Sequence, residues 1–123
     1  MTTTITGAGG INRVIDGADM PSGSVLQVVQ ASATTRNVTT STSYVATGHS
    51  VTITPSSTSS KILILHQGML NIQASSQFHR ATLDSPSTTN ATTYQIYHKV
   101  SGGTGRYNGN VFKLNMIAME IEG

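Results

Sequence analysis

From Gly23 on, the chain reads as one strand after another, because apolar residues sit at alternate positions with hydroxyls between them. Ser50-Val51-Thr52-Ile53-Thr54 is the clearest case. A period of two puts every second side chain on one face, the pattern of a strand with one buried side. Few strong helix formers occur in any window. The Val, Ile, Thr and Tyr content suits a pleated surface, since β-branched side chains pack well there.

The expected strands are Ser24 to Ala31, Ser43 to Ala46, Ser50 to Thr54, Lys61 to Ile72, Phe78 to Leu83, Thr92 to Val100 and Val111 to Ile121. Pro55 to Ser60 and Asp84 to Ser87 are turn clusters. Gly68, inside the longest apolar run, predicts a bulge or bend. The last segment could be drawn as a helix. Alternation of Phe112, Leu114, Met116 and Ala118 against Lys113, Asn115 and Ile117 makes it a strand, and the Gly-rich tip from Ser101 to Asn110 predicts an antiparallel hairpin return. About eight strands with short links give an all-β, antiparallel β-sandwich, jelly-roll-like.

Residues 1–21 are different. They hold clustered glycines and isolated apolar residues at Ile5, Ile11, Val14 and Ile15, with no sustained period. They predict an extended N-terminal arm that ends at Met20-Pro21-Ser22-Gly23, ahead of a β-sandwich domain over residues 22–123. Fully extended, an arm of about twenty residues reaches ~65 Å.

The 123 residues make one domain, and only 10% of them are charged. The seven Lys and Arg residues are scattered and the net charge is +2, so the composition argues against nucleic-acid binding, which clusters cations against phosphates. Without cysteine there is no disulfide framework, thiolate site or Cys nucleophile. No apolar run approaches the ~20 residues of a membrane span. The start lacks a signal-peptide pattern. The expectation is a soluble protein made in the cytoplasm, with no membrane partner. Apolar residues on both faces of Thr92 to Val100 and Val111 to Ile121 predict that one face meets another subunit, and a homotrimer is the preferred oligomer.

Candidate sites are few. His49, His66, His79 and His98 have no metal-ligand spacing. No Gly-x-Ser-x-Gly elbow accompanies the many serines, and only Asp16, Asp19 and Asp84 could orient a base. Glu120 and Glu122 read as solvated edge charges rather than a glycosidase pair. The glycine clusters complete no phosphate loop. Hence no catalytic residue, cofactor or metal is expected, and the protein is read as non-enzymatic. Arg106-Tyr107-Asn108 is the one exposed-looking cluster with recognition chemistry.

Three stretches carry a resemblance. Met20-Pro21-Ser22-Gly23-Ser24-Val25-Leu26-Gln27-Val28-Val29, the run Val51-Thr52-Ile53-Thr54-Pro55-Ser56-Ser57-Thr58-Ser59-Ser60-Lys61-Ile62-Leu63, and Leu83-Asp84-Ser85-Pro86 through Thr93-Tyr94 with the ending Met119-Glu120-Ile121 resemble β-sandwich modules of tailed-bacteriophage virion proteins. The resemblance covers roughly residues 20 to 123 and implies a virion location without any catalytic residue. A fibre normally needs a shaft and an anchor, and here only the arm precedes the domain. The expectation therefore moves to a homotrimeric capsid decoration (cement) protein on the capsid exterior. Its arm residues Ile5, Ile11, Val14 and Ile15 would bind the major capsid protein. The alternative is a receptor-binding fibre tip or head/tail fibre module, with Arg106, Tyr107 and Asn108 recognising a host surface glycan.

Overall fold

The structure is a computed structural model describing residues 5–6, 10–11, 20–71, 75–109 and 112–123. Every regular element in it is a strand: β1 (Ile5–Thr6), β2 (Gly10–Ile11), β3 (Val25–Ala33), β4 (Asn37–Thr39), β5 (Val45–Ile53), β6 (Lys61–Asn71), β7 (Ser75–Asp84), β8 (Thr92–His98), β9 (Gly105–Tyr107) and β10 (Leu114–Ile121). All pairings are antiparallel. The strand reading of the last segment over a helix is correct.

Two layers form the sandwich. In the larger sheet β10 lies between β3 and β6, and β7 covers the other edge of β6. Beyond the start of β10, the short strand β9 takes its place beside β6, and β4 pairs with β9. The smaller sheet is β5 with β8. Alternation decides which side chains meet between the layers. Val51 and Ile53 of β5 pack on Ile62 and Ile64 of β6 and on Met116 and Ala118 of β10, with Val29, Ala31, Tyr94 and Ile96 around them. Fully burying an Ile or Met contributes roughly 1.5–3 kcal/mol over leaving it in water.

Several expectations are corrected. Ser43 to Ala46 and Ser50 to Thr54 are one strand, β5, whose register against β8 shifts between Ala46 and Ser50. Gly68 makes no bulge towards β7, because Gln67, Gly68 and Met69 pair in unbroken register with His79, Phe78 and Gln77. The Gly-rich segment is not the tip of a hairpin. Strands β8 and β10 lie in different sheets, and β9 between them buries Gly105 and Tyr107 beside β4 and β6. Within the arm, Ile5 pairs with Ile11 and Thr6 with Gly10 in antiparallel register. Val14 and Ile15 lie outside the described residues.

Candidate functional site

The densest chemistry in the fold is a buried cluster between the layers. His49 comes from β5, His66 from β6 and Tyr107 from β9; all three point inward by strand alternation. The Tyr107 hydroxyl lies 2.6 Å from His49 Nδ1 and 2.7 Å from His66 Nε2. A phenol has one proton to give, so it donates to one ring and accepts from the other. One of the two facing nitrogens carries a hydrogen, and the bridge ties the small sheet to the large one. His98 packs edge-on against the Tyr107 ring at 6.2 Å, and its Nε2 donates to Asn37 Oδ1 at 2.6 Å.

Burial sets the charge state of this cluster. It lowers the pKa of His49, against an opposing hydrogen bond that the ring donates to the Ala31 backbone. It takes His66 down to about 4, assisted by repulsion from His49 and His79. Burial lowers His98 as well and raises the Tyr107 phenol far above its ordinary range. Neutral rings and a neutral phenol follow at pH 7. Tyr107 is 1% exposed, so the shared hydroxyl is enclosed between the layers and acts as a clasp. No group of three or more His, Asp or Glu side chains is arranged to hold a metal ion among the described residues.

A second buried node surrounds Glu120, which is 1% exposed and not the solvated edge charge the sequence suggested. Its Oε1 accepts from the Ser56 backbone N–H at 2.6 Å, the Ser56 hydroxyl at 2.7 Å and the Ser60 hydroxyl at 2.7 Å. Its Oε2 accepts from Gln27 Nε2 at 2.6 Å. Burial pushes this carboxyl up, but the donors outweigh it and the net shift is downward. Gln27, the Ser56 to Ser60 turn and Glu120 belong to the three stretches that carry the resemblance. Asp84 and Tyr94 share the third of these with Glu120, and the Tyr94 hydroxyl donates to Asp84 Oδ2 at 2.7 Å. These motif residues fasten the fold together.

The expected exposure of the cluster Arg106-Tyr107-Asn108 holds for its first residue alone. Arg106 is exposed, but Tyr107 and Asn108 are buried. Asn108 has φ +53°, a left-handed conformation that Asn tolerates better than most residues. Its side chain bonds both the N–H and the carbonyl of Phe112, while its own N–H donates to the Met69 carbonyl at 2.8 Å. It holds a turn and presents nothing to a receptor.

What the molecule does present is the outer face of the large sheet. Register aligns Val28, Met119, Leu63 and Leu83 in one row across β3, β10, β6 and β7. The next row is Gln30, Ile117, Leu65 and Ala81. Val28 is 58% and Leu83 57% exposed. Further along, Gln67, His79 and Asn115 give a polar end to the same face, lining a hollow of about 500 Å³ with Leu65, Ala81 and Ile117. The sequence had anticipated an apolar second face on the final strand, but not its partners from β3, β6 and β7, which only register reveals.

The chain matches no protein-family model, no curated protein and no solved structure.

Proposed function

We propose that this chain is a non-enzymatic virion structural protein, a homotrimeric capsid decoration (cement) protein that docks on the coat through its N-terminal arm. The observation that carries this reading is the outer face of β3, β10, β6 and β7. Strand β10 buries Leu114, Met116 and Ala118 inward and turns Ile117, Met119 and Ile121 outward, so the strand is apolar on both sides. A solvated sheet face is ordinarily polar. Exposed contiguous apolar surface marks an interaction site, and in a trimer this face is what neighbouring copies cover. The resemblance of residues 20 to 123 to virion β-sandwich modules supports the location. Three arms per trimer would act together, so that individually weak coat contacts suffice.

A receptor-binding fibre module is the second reading, and the exposed rings of Tyr44 and Tyr97 favour it. Copy number in purified virions, by quantitative mass spectrometry against the coat protein, separates the two. Near one copy per coat subunit is the expected result; a few copies per particle favours the fibre module, and absence from particles overturns both. Deleting residues 1–19 should leave a folded oligomer that no longer binds shells, and normal decoration by that truncation overturns docking through the arm.

A further inference from the structure

Beside β8 lies a pocket that adjoins the clasp through Tyr107 and stands apart from the outer sheet face. Among the described residues β8 pairs only with β5, and its other edge opens onto a hollow of about 210 Å³. Leu70 and Val100 form apolar wall, Tyr107 lies at its base, and Tyr44, Tyr97 and Lys99 stand at its mouth. The chain has six aromatic residues, two Phe and four Tyr; three of them line this one pocket. Tyr44 is 68% and Tyr97 54% exposed, although large rings are otherwise scarce here and exposing them costs burial that a lone domain could have used.

We infer that this pocket is a binding subsite for one ring of an acidic sugar. The size fits one ring, because sites for extended or drug-sized ligands run ~300–1,000 Å³. The chemistry fits a sugar, which has an apolar C–H face and a rim of hydroxyls. Tyrosine offers the matching pair, a flat apolar ring ending in a hydroxyl that donates and accepts. The acidic preference comes from Lys99. Its Nζ lies 4.5 Å from the centre of the Tyr44 ring, a cation–π contact that holds the ammonium at the mouth with its N–H donors still available. None of the pocket's lining residues is a carboxylate, and Glu120 and Asp84 are engaged elsewhere by Ser56, Ser60, Gln27 and Tyr94. A carboxylate on the sugar therefore meets a cation with no local competitor. The site holds for a capsid protein and a fibre module alike, since it uses neither the arm nor the outer sheet face.

The test is binding of the full chain to an immobilised panel of uronate- and sialate-terminated glycans beside neutral glycans of the same length. The expected result is retention of acidic glycans, lost at least tenfold in Tyr97→Ala. Lys99→Gln should bring acidic and neutral glycans to the same level. Lys113→Gln, at an exposed cation that does not line the pocket, should bind as the parent does. Circular dichroism and thermal midpoints matching the parent establish that the variants are folded. No retention of any acidic glycan, or retention undiminished in a folded Tyr97→Ala, overturns the subsite. Equal retention of neutral and acidic glycans by the parent overturns the acidic assignment.

Discussion

A carboxylate 1% exposed between two sheets is tolerable only when its lone pairs are filled. Glu120 meets that condition through Ser56, Ser60 and Gln27. Replacing it with Ala strands those donors in a site that water does not reach. Glu120→Ala should cost about 3 kcal/mol, read as a lower urea midpoint with unchanged slope; a loss below about 1 kcal/mol would mean water replaces the carboxylate. The histidine clasp makes a second residue-level claim. An unfolded His66 takes up a proton below its ordinary value of 6.5, whereas the folded one resists until about 4. Between those values the unfolded chain binds more protons, so stability falls as pH drops from about 6.5 towards about 4. Glu120 works in the same direction lower down: its depressed pKa contributes stability that disappears as pH falls below the ordinary 4.5. The urea midpoint should therefore already be lower at pH 5 than at pH 7. In Tyr107→Phe, which removes the shared hydroxyl, stability should fall by about 2 kcal/mol at pH 7. A flat profile from pH 7 to pH 5 would show that the rings protonate freely in the fold.

Among the elements, β5 depends on one glycine. Gly48 has φ +80° at the point where the register against β8 shifts, and the flanking Thr47 hydroxyl fills the gap by donating to the Ile96 carbonyl at 2.9 Å. Nothing lies within 4 Å of a Cβ placed there, so Gly48→Ala isolates backbone strain from crowding. It should destabilise by about 1–2 kcal/mol; thermal melting of the variant gives the value, and an unchanged midpoint would mean that β5 re-registers at no cost. The same strand illustrates what alternation reveals. Val51 and Ile53 against Thr52 announce a half-buried strand, as do the alternating positions of β8 and β10. Strands β4 and β9 leave no such trace, being three residues each in segments rich in Asn, Thr and Gly. A short strand draws its stability from neighbours rather than from its own pattern. With no local signal for β9, the Gly-rich segment resembles a hairpin tip and Tyr107 reads as exposed. Glu120 escaped for a related reason: its donors lie 60 and more residues away in the chain, and no local signal records that they converge.

For the molecule as a whole, the two layers are unequal. Two strands cover one side of the large sheet, and the other side is left with the rows Val28–Met119–Leu63–Leu83 and Gln30–Ile117–Leu65–Ala81. Four strands at ~4.8 Å spacing and about seven residues of length make a face on the order of 450 Å² in plan. A stable interface buries about 800 Å² of accessible surface per partner, and a corrugated face of this plan area with its polar end supplies much of that. Val28 and Leu83 are already more than half exposed, so a charge at either costs the single chain little, whereas at a covered interface it is buried without a partner. With the proposed trimer built on this face, the parent should sediment as a trimer and Val28→Lys combined with Leu83→Lys as a monomer. Coupling to that assembly should also make the parent's thermal midpoint rise with protein concentration, a dependence the double variant should lose. A parent that stays monomeric at tens of micromolar, or a double variant that still assembles, would move the subunit contact away from this face. In either case Ile117, Met119 and Leu65 would remain as apolar surface awaiting a different partner.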